Sequence, residues 1–348
     1  MNPTVKSTAD FDPDPTHFQK PQASSNWIRA ATRTRQADPF CCSPVWQLSF
    51  HEAFSPNRRL LIRESANNVI AFAEKVFSPE LIFLTPIEPN WFFGNPLLGR
   101  GSVELFSDTL GDIENEYVST FPKIVISGIR PNGSLFQSLK EKLGSRFQFN
   151  RRSSGIQCSA SLEGGLDGFL SRRSGNFRRK HKKLCNRLQR NGISFERHAP
   201  GSSAEAKGVF ARMLSVELSS WKGIGQCGMA EPPTKKFYDV LMNRLAASND
   251  ARVIFAQHEG EDIGFIFGGM AAVTYRGQQF SFDEQWRSQS IGNALQIEQV
   301  AWLAEERAHR YDMGPLTGPS MAYKSHWTER NHKIETWVLT KKYRVSTC

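Results

Sequence analysis

The 348 residues suffice for two ordinary domains, or one large one, with a well-buried core. With 39% hydrophobic residues and no run near the roughly 20 apolar residues that span a bilayer, the chain reads as soluble and globular. The net charge of +10 is uneven: SRRSGNFRRKHKKLCNRLQR, Ser171 to Arg190, holds nine Lys or Arg and no acid, which favours an anionic partner and leaves the remainder near neutral.

Residues 1–40 are rich in Pro, Ser, Thr, Asp and Gln and read as a flexible tail. Their start lacks the apolar core of a secretory signal, so a cytoplasmic location is expected. From Pro44 onward VWQLSFH, RLLIRES, NVIAFAEKVF and LIFLTPI have strand-like content. GNPLLGRG is a turn-rich link to a helix near SVELFSDTLGDI. KIVISGI is a strand, SLFQSLKEKLG a short helix ending at Gly144, and RFQFN another strand. This first half carries no recognisable cofactor motif.

After IQCSASLEGG the basic stretch has Phe177, His181, Leu184 and Leu188 at spacings of four, three and four. That is one buried stripe of a helix, stopped by Gly192, with the cations on its other faces. ISFERH is a strand; SAEAKGVFARMLSVELSSWKG and TKKFYDVLMNRLAASN are helices. ARVIFAQHE, DIGFIFGGMAAV and QQFSFDEQW follow with EG and RG turns between them, an antiparallel meander. RSQSIGNAL leads into a long helix, NALQIEQVAWLAEERAHR. YDMG is a short buried strand, AYKSHWTER a helix and IETWVLTKK a closing strand.

The six cysteines form no C-x-x-C pair, so free thiols are expected. The serines of RSQSIG and GPSMAY have no recognisable His/Asp constellation, which leaves a hydrolase triad unsupported. His181 lies on the apolar stripe of the basic helix, and no His, Asp or Glu spacing argues for a metal.

The order strand, two helices, meander, turn, long helix, strand, helix, strand resembles the GNAT acyltransferase fold. The stretches NFRRKHKKLCNRLQRNGISFE, ELSSWKGIG, FDEQWRSQSIG and YDMGPLTGPSMAYKSHW, in this order, resemble the CelD-type/BioF2-like group, relatives of the Fem-type transferases. The resemblance runs from Ile156 to Val338. It implies an α/β chain of two GNAT-like lobes in tandem, with mixed central sheets flanked by helices. Residues 41–155 would be a degenerate lobe and 156–348 the acyltransferase lobe.

The resemblance further implies transfer of an acyl group from a thioester to an amine. The family's pyrophosphate fingerprint is Gln or Arg, two residues, Gly, one residue, then Gly or Ala. Gln289, Gly292 and Ala294 occupy those places, so Gln289, Ser290, Ile291, Gly292, Asn293 and Ala294 are the expected carrier-binding residues. A helix start suits phosphate because its first N–H groups lack intrahelical partners and its dipole is positive there. An ordinary loop with Ser290 as N-cap is the competing reading.

Deprotonating an aliphatic ammonium of pKa ~10.4 costs about 4.6 kcal/mol at pH 7, so a proton acceptor is needed. Asp283, ending the meander beside the loop, is the first candidate, and Glu217 the second. Tyr323 is the expected proton donor to the departing thiolate, and Lys324 a cation for an anionic group. Asp312 would position substrate or backbone. Trp221, Lys222 and Trp327, and Arg178 and Arg179 of the basic helix, are binding candidates. Each also has a plain reading as a cap, an ion pair or core packing.

The expected donor is acyl-CoA or an acidic acyl-carrier protein, with no permanently bound cofactor. The 25 phenylalanines suit a fatty-acyl pocket, although core packing explains them equally. The acceptor would be the primary amine of a small molecule, amino acid or peptide side chain. Two alternatives stand beside this one. One is a Fem-type transferase using aminoacyl-tRNA, although no long heptad arm is present. The other is a non-catalytic module whose basic helix binds nucleic acid.

Overall fold

In the computed structural model, residues 23–34 and 38–342 are described. Most of the expected flexible tail lies outside them, but its end does not behave as one. Helix α1 (Ser25–Thr32) is capped by Ser24, whose side chain accepts from the Trp27 N–H. Trp27 is fully buried, and its indole N–H donates to the Cys42 carbonyl at 3.0 Å. Burial of one such side chain contributes roughly 1.5–3 kcal/mol, enough to fasten a two-turn helix.

VWQLSFH is not a strand. It belongs to α2 (Pro44–Phe54), with Ser43 as N-cap and Pro44 in the first turn, where a missing N–H costs nothing. Trp46, Phe50 and Phe54 recur every fourth residue, and the rings of Phe50 and Phe54 stack at 4.6 Å. The aromatic content that suggests a strand is the face of a helix.

The next elements are β1 (Leu60–Ser65), β2 (Asn68–Ser78), β3 (Leu81–Pro86), β4 (Leu97–Leu98), α3 (Ser102–Glu116), β5 (Lys123–Ile129) and α4 (Ser134–Leu143). The side-chain period of two divides each strand between two layers. Leu61, Ile70 and Phe72 pack with Phe106 and Leu139 on one face. Leu60, Ile62, Val69 and Ala71 pack with Trp27 and Leu48 on the other.

β6 (Phe147–Ser161) is longer than RFQFN suggests and runs through the expected lobe boundary at 155/156. After it come α5 (Gly165–Ser171), α6 (Gly175–Arg190), β7 (Ile193–His198), α7 (Ser203–Ser219), α8 (Trp221–Ile224) and α9 (Thr234–Ala247). The meander is β8 (Ala251–His258), β9 (Glu261–Ala271) and β10 (Thr274–Phe282), followed by α10 (Ile291–Glu305), β11 (Arg310–Pro315) and β12 (Arg330–Lys341). AYKSHW lies in a 3₁₀ turn, Pro319–His326, rather than an α-helix.

One mixed sheet holds all of this in the order β1-β2-β3-β5-β12-β6-β11-β10-β9-β8-β7, with β4 paired to β2. The closing strand β12 inserts between β5 and β6 and is antiparallel to both. In the second half Val253, Phe255, Phe265 and Phe267 face α7 and α9, whereas Ile254, Ala256 and Ile266 face α10. Phe40, Trp46 and Phe50 join the α7/α9 cluster, so the two halves share a core. Among the described residues no helix is long and apolar enough to cross a membrane.

Candidate active site

β10 and β11 are parallel and pair only at Thr274–Arg310, Tyr275–Tyr311 and Arg276–Asp312. Beyond that rung β10 continues to Phe282 and β11 to Pro315 without pairing to each other, and a bulge falls at Gly277/Gln279. The strands therefore splay, and a cleft of about 480 Å³ opens along Gly277–Phe282 on one side and Met313 and Pro315 on the other.

Both halves of the chain line this cleft. Trp46 and Trp91 come from the first, Trp221 and Lys222 from α8, and Tyr323 and Lys324 from the 3₁₀ turn. The expected residues Trp221, Lys222, Tyr323 and Lys324 are thus brought together from positions a hundred residues apart. Arg276, Gln279, Tyr238, Trp46 and Trp91 are cleft residues that sequence reasoning missed. The signal for Arg276 was a lone cation inside a strand with no other charged residue. Trp46 was hidden by the misread α2.

No Asp or Glu is among the described residues lining the cleft, whereas Lys222, Arg276 and Lys324 all are. Lys324 is 6% exposed, and its Nζ donates to the Pro315 carbonyl at 2.8 Å. Burial, then the nearby Arg276 charge, lowers its pKa to about 8. Lys222 donates to Gln279 Oε1 at 3.0 Å and to the Phe280 carbonyl at 2.9 Å. Burial lowers its pKa too, against the opposing pull of Glu217. Tyr323 packs on Phe280 with ring centroids 6.2 Å apart, and burial raises its phenol to about 12, so it is protonated at neutral pH.

The two carboxylates expected as bases are placed elsewhere. Asp283 caps the 3₁₀ turn Glu284–Gln289, accepting from the Gln285 N–H at 2.8 Å. It lines a separate recess with His258, Asp262 and Trp286, because the chain turns at the end of β10 and uses the carboxylate as a cap. Glu217 is fully buried. It accepts from the Met229 N–H at 2.9 Å and from the Ser281 hydroxyl, and lies 3.6 Å from Lys222 Nζ. It ties the loop after α8 to β10 and does not line the cleft.

Trp327 is also withdrawn from the cleft. It is 4% exposed and packs edge-on against Phe177 at 5.1 Å. Asp312 is wholly buried in a charge network behind the splay. It accepts from Arg276 at 2.7 Å, Arg310 at 2.5 Å and the Gly314 N–H at 2.9 Å, and from Gln157. Asp38, from the segment read as tail, lies 2.9 Å from the same Arg276 nitrogen. This network fixes the rung at which the two strands part. Arg178 and Arg179 stand exposed at the start of α6, away from the cleft wall.

The stretch Gln289–Ala294 makes the start of α10 and abuts the cleft through aromatic rings. A Cβ on Gly292 would lie 2.9 Å from the Phe280 ring and 3.4 Å from that of Phe282, so only glycine seats the helix start against these rings. Ser290 adopts the left-handed conformation at φ 60° and makes no capping bond, contrary to the N-cap reading. Ile291 and Ala294 point into the core. The main chain, with Gln289 and Asn293, is what this stretch has to offer a ligand. The Gln289 carbonyl accepts from Arg187 of α6 at 2.8 Å, and its side chain from Asn191 at 3.2 Å.

A splayed parallel pair beside a helix start matches what residues 172–325 show against protein families: they fit the model described as "Acetyltransferase (GNAT) domain". The second half carries a GNAT acetyltransferase domain. The protein is therefore an acyltransferase, and its mixed sheet flanked by helices is the GNAT fold. Among solved structures the chain is similar to FemX, at 10% identity over 90% of this chain and 96% of that one, with a TM-score of 0.64. A conserved protein of unknown function from Bacteroides thetaiotaomicron VPI-5482 gives 10% identity, 92% and 99% coverage and a TM-score of 0.62. L-PGS from Bacillus licheniformis gives 16%, 88% and 94%, and 0.54. At these identities the likeness is one of fold. Among curated proteins none matches. Among the described residues of the GNAT domain and its partner half, no group of three or more His, Cys, Asp or Glu is placed to hold a metal ion.

Proposed function

We propose that the protein moves an acyl group from a phosphopantetheine thioester, acyl-CoA or acyl-carrier protein, to a primary amine of a small molecule, amino acid or peptide side chain. The splay of β10 from β11 beside the Gln289–Ala294 helix start carries this reading. A phosphate of the carrier would be drawn to the first N–H groups of the helix, at Ile291 and Gly292, since those of Asn293 and Ala294 donate to the Ser290 carbonyl, and the thioester arm would lie along the edge of β10 that β11 leaves. The quoted stretches favour the CelD-type/BioF2-like group within the GNAT enzymes. The N-terminal half, read as a degenerate lobe, supplies Trp46 and Trp91 as the acceptor-side wall.

Attack of the amine forms the C–N bond and breaks the C–S bond. The amine loses a proton and the departing thiolate gains one. Tyr323, protonated and on the cleft wall, is the donor to the thiolate. With Asp283 capping a turn beside a separate recess and Glu217 fully buried among its own partners, Lys324 takes the role of base. Its pKa near 8 leaves a usable neutral fraction, and its bond to the Pro315 carbonyl orients the lone pair. The cations of the cleft and its lack of carboxylates favour an acceptor that bears a carboxylate or phosphate.

The test is mass spectrometry of a panel of amines incubated with acetyl and longer acyl thioesters on CoA and on a carrier protein. Amide products with release of free thiol are expected. No product from any thioester would refute the reading, and activity abolished by ribonuclease would replace it with the tRNA-dependent one.

A further inference from the structure

Helix α6 has seven Lys or Arg and no acid between Gly175 and Arg190. One side is closed: Leu188 is buried, Leu184 packs with it, and Phe177 packs on Trp327. The other side is open, with Arg178, Arg179, Lys180, Lys182, Lys183 and Arg190 all exposed. Among the described residues no carboxylate pairs with any of the seven. Arg172 and Arg173, just before the helix, both reach Glu329. Like charges four apart, as at Arg178/Lys182, Arg179/Lys183 and Lys183/Arg187, destabilise a helix. An anionic partner would cancel that cost.

The placement of the strip is specific. Its C-terminal end is bonded to the proposed carrier loop through Arg187 and Asn191 to Gln289. Its N-terminal end packs against Trp327, which closes the turn bearing Tyr323 and Lys324. The helix therefore runs along the edge of the site from the phosphate loop to the proton donor. Arg178 and Arg190 stand about 18 Å apart at 1.5 Å per residue.

We infer that α6 docks an acidic acyl-carrier protein, whose pantetheine thioester then passes the Gln289–Ala294 helix start into the cleft. This rests on the acyl-transfer reading and narrows its donor. A free CoA thioester carries its phosphates together at one end. It would use the Arg187 end and leave the distal cations unmatched. A protein with an acidic surface matches the whole strip and is steered to it over a distance. Single-stranded nucleic acid fits less well, because α6 presents no exposed aromatic for base stacking: Phe177 is held by Trp327 and the His181 ring is half-buried.

The experiment measures binding of the full-length protein to three probes at low and high salt: an octanoyl acyl-carrier protein, octanoyl-CoA and a tRNA. The triple variant Lys180→Glu/Lys182→Glu/Lys183→Glu is compared with wild type, and Lys180→Gln/Lys182→Gln/Lys183→Gln serves where charge reversal unfolds the helix. Carrier-protein affinity is expected to fall about 100-fold on reversal and to weaken steeply with salt in wild type, with CoA affinity changed less than about threefold. Unchanged carrier affinity, an equal loss for CoA, or tRNA bound more tightly than the carrier at the same salt would overturn the inference. If wild type binds octanoyl-CoA but no carrier, this inference alone fails. If it binds neither thioester, the acyl-transfer reading fails with it.

Discussion

Replacing Lys324 tests the assignment of the base, because its role depends on a charge state that the structure controls. An ordinary lysine near pKa 10.4 is about 0.1% neutral at pH 7.5, whereas one at about 8 is roughly a quarter neutral, a gain of about 200-fold. At saturating amine and thioester, kcat should therefore rise with pH and level off above about 8. Lys324→Arg keeps the cation but cannot release its proton at these pH values, so kcat should fall about 100-fold or more, as for Lys324→Met. Equilibrium urea unfolding gives an independent reading. The unfolded lysine holds its proton up to about pH 10.4 and the folded one only to about 8, so the unfolded chain binds more protons between these values. Wild-type stability should rise across that window by about 3 kcal/mol, being lowest below pH 8, and Lys324→Met should lack the rise. An Lys324→Arg enzyme with near wild-type kcat would refute the reasoning, since Lys324 would then act only as a cation.

Asp312→Asn removes the charge that balances Arg276 and Arg310 in a fully buried network, and should cost about 3–5 kcal/mol in urea unfolding. Arg287→Ala, which breaks an exposed i,i+3 pair with Glu284, should cost under about 1 kcal/mol in the same assay. Tyr323→Phe should lower kcat about 100-fold with little change in donor KM, measured by thiol release; a change under about twofold would remove the phenol from the mechanism. Gly292→Val drives a side chain into the Phe280 ring and should destabilise by about 1–3 kcal/mol while raising donor KM about tenfold. Wild-type donor KM in that variant would take the helix start out of carrier binding.

The features legible in the sequence are those written in local pattern. The meander β8–β10 shows as alternation with the Glu259–Gly260 turn, although the second turn falls at Ala272–Val273 and the expected Arg276–Gly277 turn lies inside β10; α6 shows as a four-three-four stripe among cations, and the helix start at Gln289–Ala294 as a spacing around Gly292. Where several physical causes write the same pattern, reading failed. An aromatic run spaced every fourth residue is both a strand-like composition and a helical face, and at α2 only the Ser43–Pro44 start separates the two. An acid at the end of a strand is both a base and a cap, and Asp283 is the cap. Glu217 sits in an equally suggestive stretch, yet its carboxylate is consumed by Met229, Ser281 and Lys222.

By itself the sequence determined most of the order of elements from α6 onward, the concentration of charge on one helix and the GNAT acetyltransferase domain, because periodicity, capping and motif spacing act over a few residues. The tertiary structure decided what those elements enclose. It inserts β12 between β5 and β6, parts β10 from β11 after the Arg276–Asp312 rung, and sets Trp46 and Trp91 of the first half in one cleft with Lys324. It also decides the protonation of Lys324, whose pKa is a property of the burial and of the Arg276 charge around it. Burial, pairing and field all arise between residues far apart in the chain, and no local pattern records them.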